Sequence, residues 1–134
     1  MDDSSLAKAR RRLIAEIEEE ARDTQYWTGR ARFSDRVMAA IDRVPRHEFV
    51  LPGDEACAYV NRPRGIGHGQ TISQPYIVAR MSELLLETRV PQRVLEIGSG
   101  SGYQTAVLSR LVPQVYTIER VKGLADLARD RLRT

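Results

Sequence analysis

Cysteine is nearly absent from this sequence: Cys57 stands alone in 134 residues. One thiol cannot close an internal disulfide, and with neither a CxxC pair nor a His/Cys cluster no metal site is expected. Such cysteine usage fits a reducing compartment. Long apolar runs are missing as well, since nowhere do about 18 apolar residues follow one another. The acidic, polar start has no apolar stretch behind a basic flank, so no secretory signal is visible. These absences predict a cytoplasmic protein without a membrane partner. Charge of one sign is also scarce: 21 basic residues face 18 acidic ones for a formal +3, and the two signs are interspersed. Nucleic acid is therefore not an expected partner. Repeats and low-complexity tracts are lacking.

What is present is the composition of one ordinary globular domain, 42% hydrophobic and 29% charged. The basic run Lys8 to Arg12 is followed by the acidic run Glu16 to Glu20, the pattern of a solvated helix face with opposite charges a turn apart. Leu6, Leu13, Ile14, Ile17 and Ala21 recur at helical spacing and predict a helix capped by Ser4 or Ser5 and running to Arg22. A second helix is predicted from the N-cap Ser34 through Val37, Met38, Ile41 and Val44, stopping before Pro45, with Tyr26 and Trp27 docking the linker between the two. Residues 45–72 are punctuated by proline and glycine and predict an irregular segment with short strands near Glu48 to Leu51 and Ala56 to Val60. Ser73 is placed to cap a third helix that tolerates Pro75 in its first turn and buries Ile77, Val78, Met81, Leu84 and Leu85.

The final third has a sharper signature. Arg93 to Ile97 is a short apolar strand, Gly98-Ser99-Gly100-Ser101-Gly102 a glycine turn, and Tyr103 to Leu111 a helix. Val115 to Ile118 then predicts a second strand, with Glu119 at its end and a helix from Lys122 to Arg133. This is a βαβα unit with parallel strands, hence an α/β fold. A glycine turn between strand and helix lets backbone N–H groups approach a ligand at the positive end of the helix. An acidic residue about twenty positions on can accept hydrogen bonds from ribose hydroxyls, the place Glu119 occupies. A dinucleotide fingerprint would need a small residue where bulky Tyr103 stands, so the spacing argues against that ligand class.

The spacing E-x-G-x-G-x-G from Glu96 instead resembles the first motif of class I S-adenosylmethionine-dependent methyltransferases. Together with Pro45 to Val50 (PRHEFV) and Ile66 to Ala79 (IGHGQTISQPYIVA), the stretch Val94 to Leu108 resembles the protein-L-isoaspartate O-methyltransferase family from about Ser34 onward. The resemblance implies transfer of a methyl group from S-adenosyl-L-methionine to the free carboxylate of L-isoaspartyl residues in damaged proteins and peptides, which initiates repair. It implies Ser73 as the active-site residue. Gln70, Thr71, Ile72 and Ser73 would line the cleft, Glu96, Gly98, Ser99, Gly100 and Gly102 would form the cofactor turn, and Glu119 with Arg120 would sit at the ribose. His68 could donate to the substrate carboxylate or be a loop histidine, with no nearby carboxylate in sequence to orient it, while Arg64 could face either solvent or the substrate carboxylate.

The resemblance also implies an organisation: a helical extension over residues 1–33, then a methyltransferase domain over 34–134 with a substrate-side segment (34–90) and a cofactor-binding βαβα unit (91–134). The fold expected is the N-terminal part of a Rossmann-like, doubly wound sheet preceded by helices, stopping after the second core strand and its helix. Such a part would expose strand edges and faces, through which a homo-oligomer could form. Weak or absent activity of the chain alone is the matching expectation. The alternatives are a non-catalytic remnant serving as an interaction or oligomerisation module, and another S-adenosylmethionine-dependent methyltransferase; GHGQTISQP argues against the latter.

Overall fold

A carboxylate, rather than a serine, starts the first helix. In the computed structural model, which describes residues 1–133, Asp2 Oδ1 accepts the Ser5 N–H at 2.7 Å and caps helix α1, Asp3–Asp23. A charged cap outcompetes Ser4 and Ser5 because it also meets the positive end of the helix. Leu13, Ile17 and Ala21 form the buried stripe, as the periodicity predicts. Tyr26 and Trp27 lie on the short helix α2, Gln25–Thr28, but they do not dock: they are 87% and 82% exposed and contact each other edge to face. Thr24 makes the attachment instead, its hydroxyl 2.7 Å from the Tyr76 hydroxyl. Helix α3, Asp35–Arg43, is capped by Ser34 as expected, and Val37, Ile41 and Val44 enter the core.

Residues 45–72 depart from expectation. Glu48 to Leu51 and Ala56 to Val60 are not strands; the chain forms single turns of 3-10 helix at Arg46–Phe49 and Glu55–Cys57. The strands lie later, β1 at Arg64–Gly67 and β2 at Gln70–Ile72, paired antiparallel. Their glycine-rich, polar residues carry little strand signal, and the tip bends because Gly67, His68 and Gly69 are all left-handed, with φ of 86°, 55° and 69°. Helix α4, Pro75–Leu86, starts two residues after Ser73, the predicted cap. Gln74 occupies the N-cap position, so Ser73 is not the cap.

The face that α4 buries also differs. Tyr76, Val78, Ala79, Ser82 and Glu83 are buried, whereas Ile77, Met81, Leu84 and Leu85 are exposed. Polar contacts decide the rotation of this helix. Glu83 accepts from the Ser34 backbone N–H and hydroxyl, both at 2.9 Å, and Arg30 bridges Glu83 and Glu87.

The βαβα unit follows prediction closely. Strands β3, Arg93–Ile97, and β4, Gln114–Ile118, pair in parallel with Arg93 opposite Gln114 and Ile97 opposite Ile118. Helices α5, Tyr103–Ser109, and α6, Lys122–Leu132, cover one face, where Val94 and Val115 pack against the core. One core cluster joins Leu13, Ile17 and Ala21 of α1 to Val78 of α4, Val107 of α5 and Leu124 of α6. No helix among the described residues is long and apolar enough to cross a membrane.

The opposite sheet face is open. Leu95, Ile97, Tyr116 and Ile118 are each more than half exposed, and each strand has a neighbour on one edge only among the described residues. Parallel sheets are ordinarily covered on both faces. A contiguous apolar surface of this kind binds hydrophobic probes and favours association. The chain is expected to enhance the fluorescence of a hydrophobic dye and to sediment with concentration-dependent mass. Ile97→Glu should reduce both without lowering the melting temperature, because its side chain is already 71% exposed.

Candidate active site around the glycine turn

The turn between β3 and α5 is shaped by glycine and pinned from the end of β4. Gly98 and Gly102 have φ of 89° and 92°, which L side chains rarely adopt. They differ in surroundings. A Cβ built on Gly98 would meet nothing within 4 Å, so that glycine fronts open space, while one on Gly102 would come into van der Waals contact with Ala128 at 3.4 Å and Leu132 at 3.5 Å. Gly102 is thus the N-cap of α5 and the point where α6 packs close. The Ile118 carbonyl accepts the N–H groups of Gly98 and Ser99 at 2.8 and 3.1 Å.

Glu119 completes the pinning. Its Oε1 accepts the Gly100 N–H at 2.8 Å and its Oε2 the Val121 N–H at 3.0 Å. The Val121 and Gly100 N–H groups hold this carboxyl below the usual carboxylate range. Each oxygen can accept a further hydrogen bond, so the acid organises the turn and still presents acceptors. Arg120 is exposed beside it.

Glu96 lies on the packed face of β3. It accepts from the hydroxyls of Thr105 and, at 2.7 Å, Thr117, and the Ser99 hydroxyl is 2.6 Å from that of Thr117. Burial pushes the Glu96 carboxyl above its ordinary value, against the opposing pull of the Thr105 and Thr117 hydroxyls. Thr117 is absent from the sequence-based site, although aligning VLEI with VYTI as parallel strands places it beside Glu96. Thr105, on α5, has no such signal.

A cavity of about 400 Å³ connects the two predicted halves of the site, a volume within the range of small-molecule pockets. Thr71, Ile72 and Ser73 form one wall, and Glu96, Gly98, Ser99 and Gly100 another. Met81 and Leu85, the exposed side of α4, close a third together with β3. Gln70, Gly102, Glu119 and Arg120 stand outside this lining. The Ser73 hydroxyl is unengaged among the described residues, but its carbonyl accepts from Arg46 Nη2 at 2.8 Å. Beside it, Gln74 Nε2 donates to Glu20 at 3.1 Å and to the Asn61 carbonyl at 3.2 Å, and the Tyr76 N–H donates to Asn61 Oδ1 at 3.0 Å. Arg64 points to Asp54, 3.3 Å away, and the His68 ring rests on Gly123 at the start of α6. Neither lines the cavity.

The raised Glu96 value has a stability consequence. A carboxyl harder to ionise in the folded state than in the unfolded chain opposes folding once pH exceeds its folded value, and the penalty disappears below the unfolded value. Glu96→Gln, which still accepts from both threonines, is expected to raise the melting temperature by about 3 °C at pH 8. The two proteins should converge near pH 4, as read by calorimetric scans across pH.

This geometry has relatives. The profile described as protein-L-isoaspartate(D-aspartate) O-methyltransferase (PCMT) matches residues 24–134. A protein-L-isoaspartate O-methyltransferase of Alkalilimnicola ehrlichii is 54% identical over 94% of this chain and 52% of its own length, and one of Halorhodospira halophila is 62% identical over 73% and 44%. Among solved structures, a Plasmodium falciparum protein described as a protein-L-isoaspartate O-methyltransferase in complex with S-adenosyl-L-homocysteine superposes with a TM-score of 0.67 at 25% identity, covering 87% of this chain and 55% of that one. The chain spans about half the length of the curated relatives it matches. Matched by the family profile over residues 24–134, and 54% identical to a relative over 94% of its own residues, the chain belongs to the protein-L-isoaspartate(D-aspartate) O-methyltransferase family.

Proposed function

We propose that the chain provides the cofactor turn and the carboxylate-facing segment of an enzyme that methylates the free carboxylate of L-isoaspartyl residues in damaged proteins. The observation that carries this reading is the single cavity shared by Ser73 and the Gly98 to Gly100 backbone. The residues present fit the methionine and ribose end of S-adenosylmethionine: Gly98 leaves a cradle that a Cβ would occupy, and Glu119 keeps acceptors for hydroxyls. When bound, that cofactor supplies a methyl group carried on a positively charged sulfur.

The chain's own residues have a sparse task. A substrate carboxylate with a pKa of about 4 is ionised at neutral pH, so no side chain has to remove a proton from it. Ser73, with its hydroxyl unengaged on the cavity wall, is suited to donate to that carboxylate and fix its direction. Correct alignment and exclusion of water then carry the rate. Glu96, held by Thr105 and Thr117 and tied through Thr117 to Ser99, stiffens the turn from below. The exposed free thiol of Cys57 supports a reducing, cytoplasmic setting.

The open sheet face favours a second reading, a binding module that has no turnover of its own. Titration calorimetry with S-adenosylhomocysteine addresses both readings. Binding is expected, unchanged between pH 8 and 6 and lost as pH falls through the depressed Glu119 value, and Glu119→Ala should weaken it about tenfold. Radiolabelled methyl should reach an L-isoaspartyl peptide and not its aspartyl counterpart, more slowly than with a relative of full length. Equal labelling of the two peptides would refute isoaspartyl repair; binding without any labelling would select the module.

A further inference from the structure

Among the described residues, Arg46 is a buried cation, 1% exposed, with no carboxylate partner. Nε donates to the Ala58 carbonyl at 2.8 Å and Nη2 to the Ser73 carbonyl at 2.8 Å, and the guanidinium stands 4.6 Å from the centre of the Tyr103 ring. Nη1 and the Tyr103 hydroxyl are buried, and among the described residues neither has a hydrogen-bond partner of good geometry. Burial lowers the Arg46 pKa and pushes the Tyr103 phenol up to about 12, so the phenol stays neutral beside the cation.

Burying a guanidinium without a counter-charge is costly, and an apolar side chain of similar volume would fill the same space more cheaply. What the guanidinium does that an apolar chain cannot is hold carbonyls. One of the two belongs to Ser73 in the substrate-side segment, and the ring it covers is the first residue of α5, directly after the glycine turn. No other side chain among the described residues makes both of these contacts.

We propose that Arg46 is a positioning residue: it clamps the Ser73 carbonyl to the Tyr103 ring and so sets the serine in register with the cofactor turn. This rests on the reading of Ser73 as the group facing the substrate carboxylate. Loss of the clamp leaves the turn intact, because Ile118 and Glu119 hold it independently. It loosens the backbone at Ser73, between the paired strand β2 and the Gln74 and Tyr76 contacts to Glu20 and Asn61, and the carboxylate then meets a donor that is no longer fixed.

The test uses the full chain and Arg46→Met, with hydrogen exchange by mass spectrometry and calorimetric titration of S-adenosylhomocysteine and of an L-isoaspartyl peptide. Exchange over residues 70–76 is expected to rise about tenfold while that of β3 and β4 stays constant. Peptide affinity should fall about tenfold, with cofactor affinity changing less than about threefold. Wild-type exchange in the 70–76 segment overturns the proposal, as does an equal loss of both affinities, which a merely structural arginine would cause. If Arg46→Met does not fold, Arg46→Lys, which reaches one carbonyl, replaces it: intermediate exchange supports the clamp and wild-type exchange overturns it. A wild-type chain that binds neither ligand refutes the functional reading, and the exchange measurement still decides the clamp.

Discussion

Two consecutive acceptors at the end of β4 hold the glycine turn: the carbonyl of Ile118 takes the N–H groups of Gly98 and Ser99, and the carboxylate of Glu119 takes those of Gly100 and Val121. The register of β3 against β4 is what brings these acceptors level with the turn. Helix α5 departs from Gly102 and α6 from Val121, so the same few bonds set where both helices begin. The cradle in front of Gly98 is the space left over once that geometry is satisfied. An acid that would otherwise be assigned to a ligand alone is therefore also structural, and its depressed pKa reflects its service to the backbone.

The other wall of the cavity is held differently. The segment around Ser73 has no regular structure to fix it between β2 and α4, and side chains from distant parts of the chain take over. Arg46 reaches it from the turn before Phe49, Asn61 from the loop before β1, and Glu20 from α1 through Gln74. Glu20 lies ahead of residue 24, where the family match begins. Helix α1 thus contributes to the local order of the segment around Ser73 while its apolar stripe shares the common core.

The apolar surface of this chain is unevenly covered. Helices α5 and α6 close one face of the parallel pair and leave Leu95, Ile97, Tyr116 and Ile118 open on the other. On α4 the apolar residues Ile77, Leu84, Met81 and Leu85 likewise face outward, two of them toward the cavity. The chain spans about half the length of the curated relatives it matches, and among the described residues its parallel pair is covered on one face only.

Local chemistry was legible wherever one pattern dominated. Periodicity placed α1 and α3, the VLEI and VYTI stretches placed β3 and β4, and the glycine spacing placed the turn. It failed where local rules were outweighed: the hairpin strands are short and polar, α4 buries the face carrying Ser82 and Glu83 rather than its more apolar one, and Ser73 satisfies the rule for a cap that Gln74 occupies. What the sequence by itself determined is the order of elements and the candidate residues of each wall, because those depend on neighbours along the chain. Only the tertiary structure decided which face α4 buries, that Glu119 spends its oxygens on backbone amides, and that a buried arginine joins Ser73 to Tyr103. Those outcomes depend on hydrogen bonds between residues tens of positions apart, whose geometry no local pattern carries.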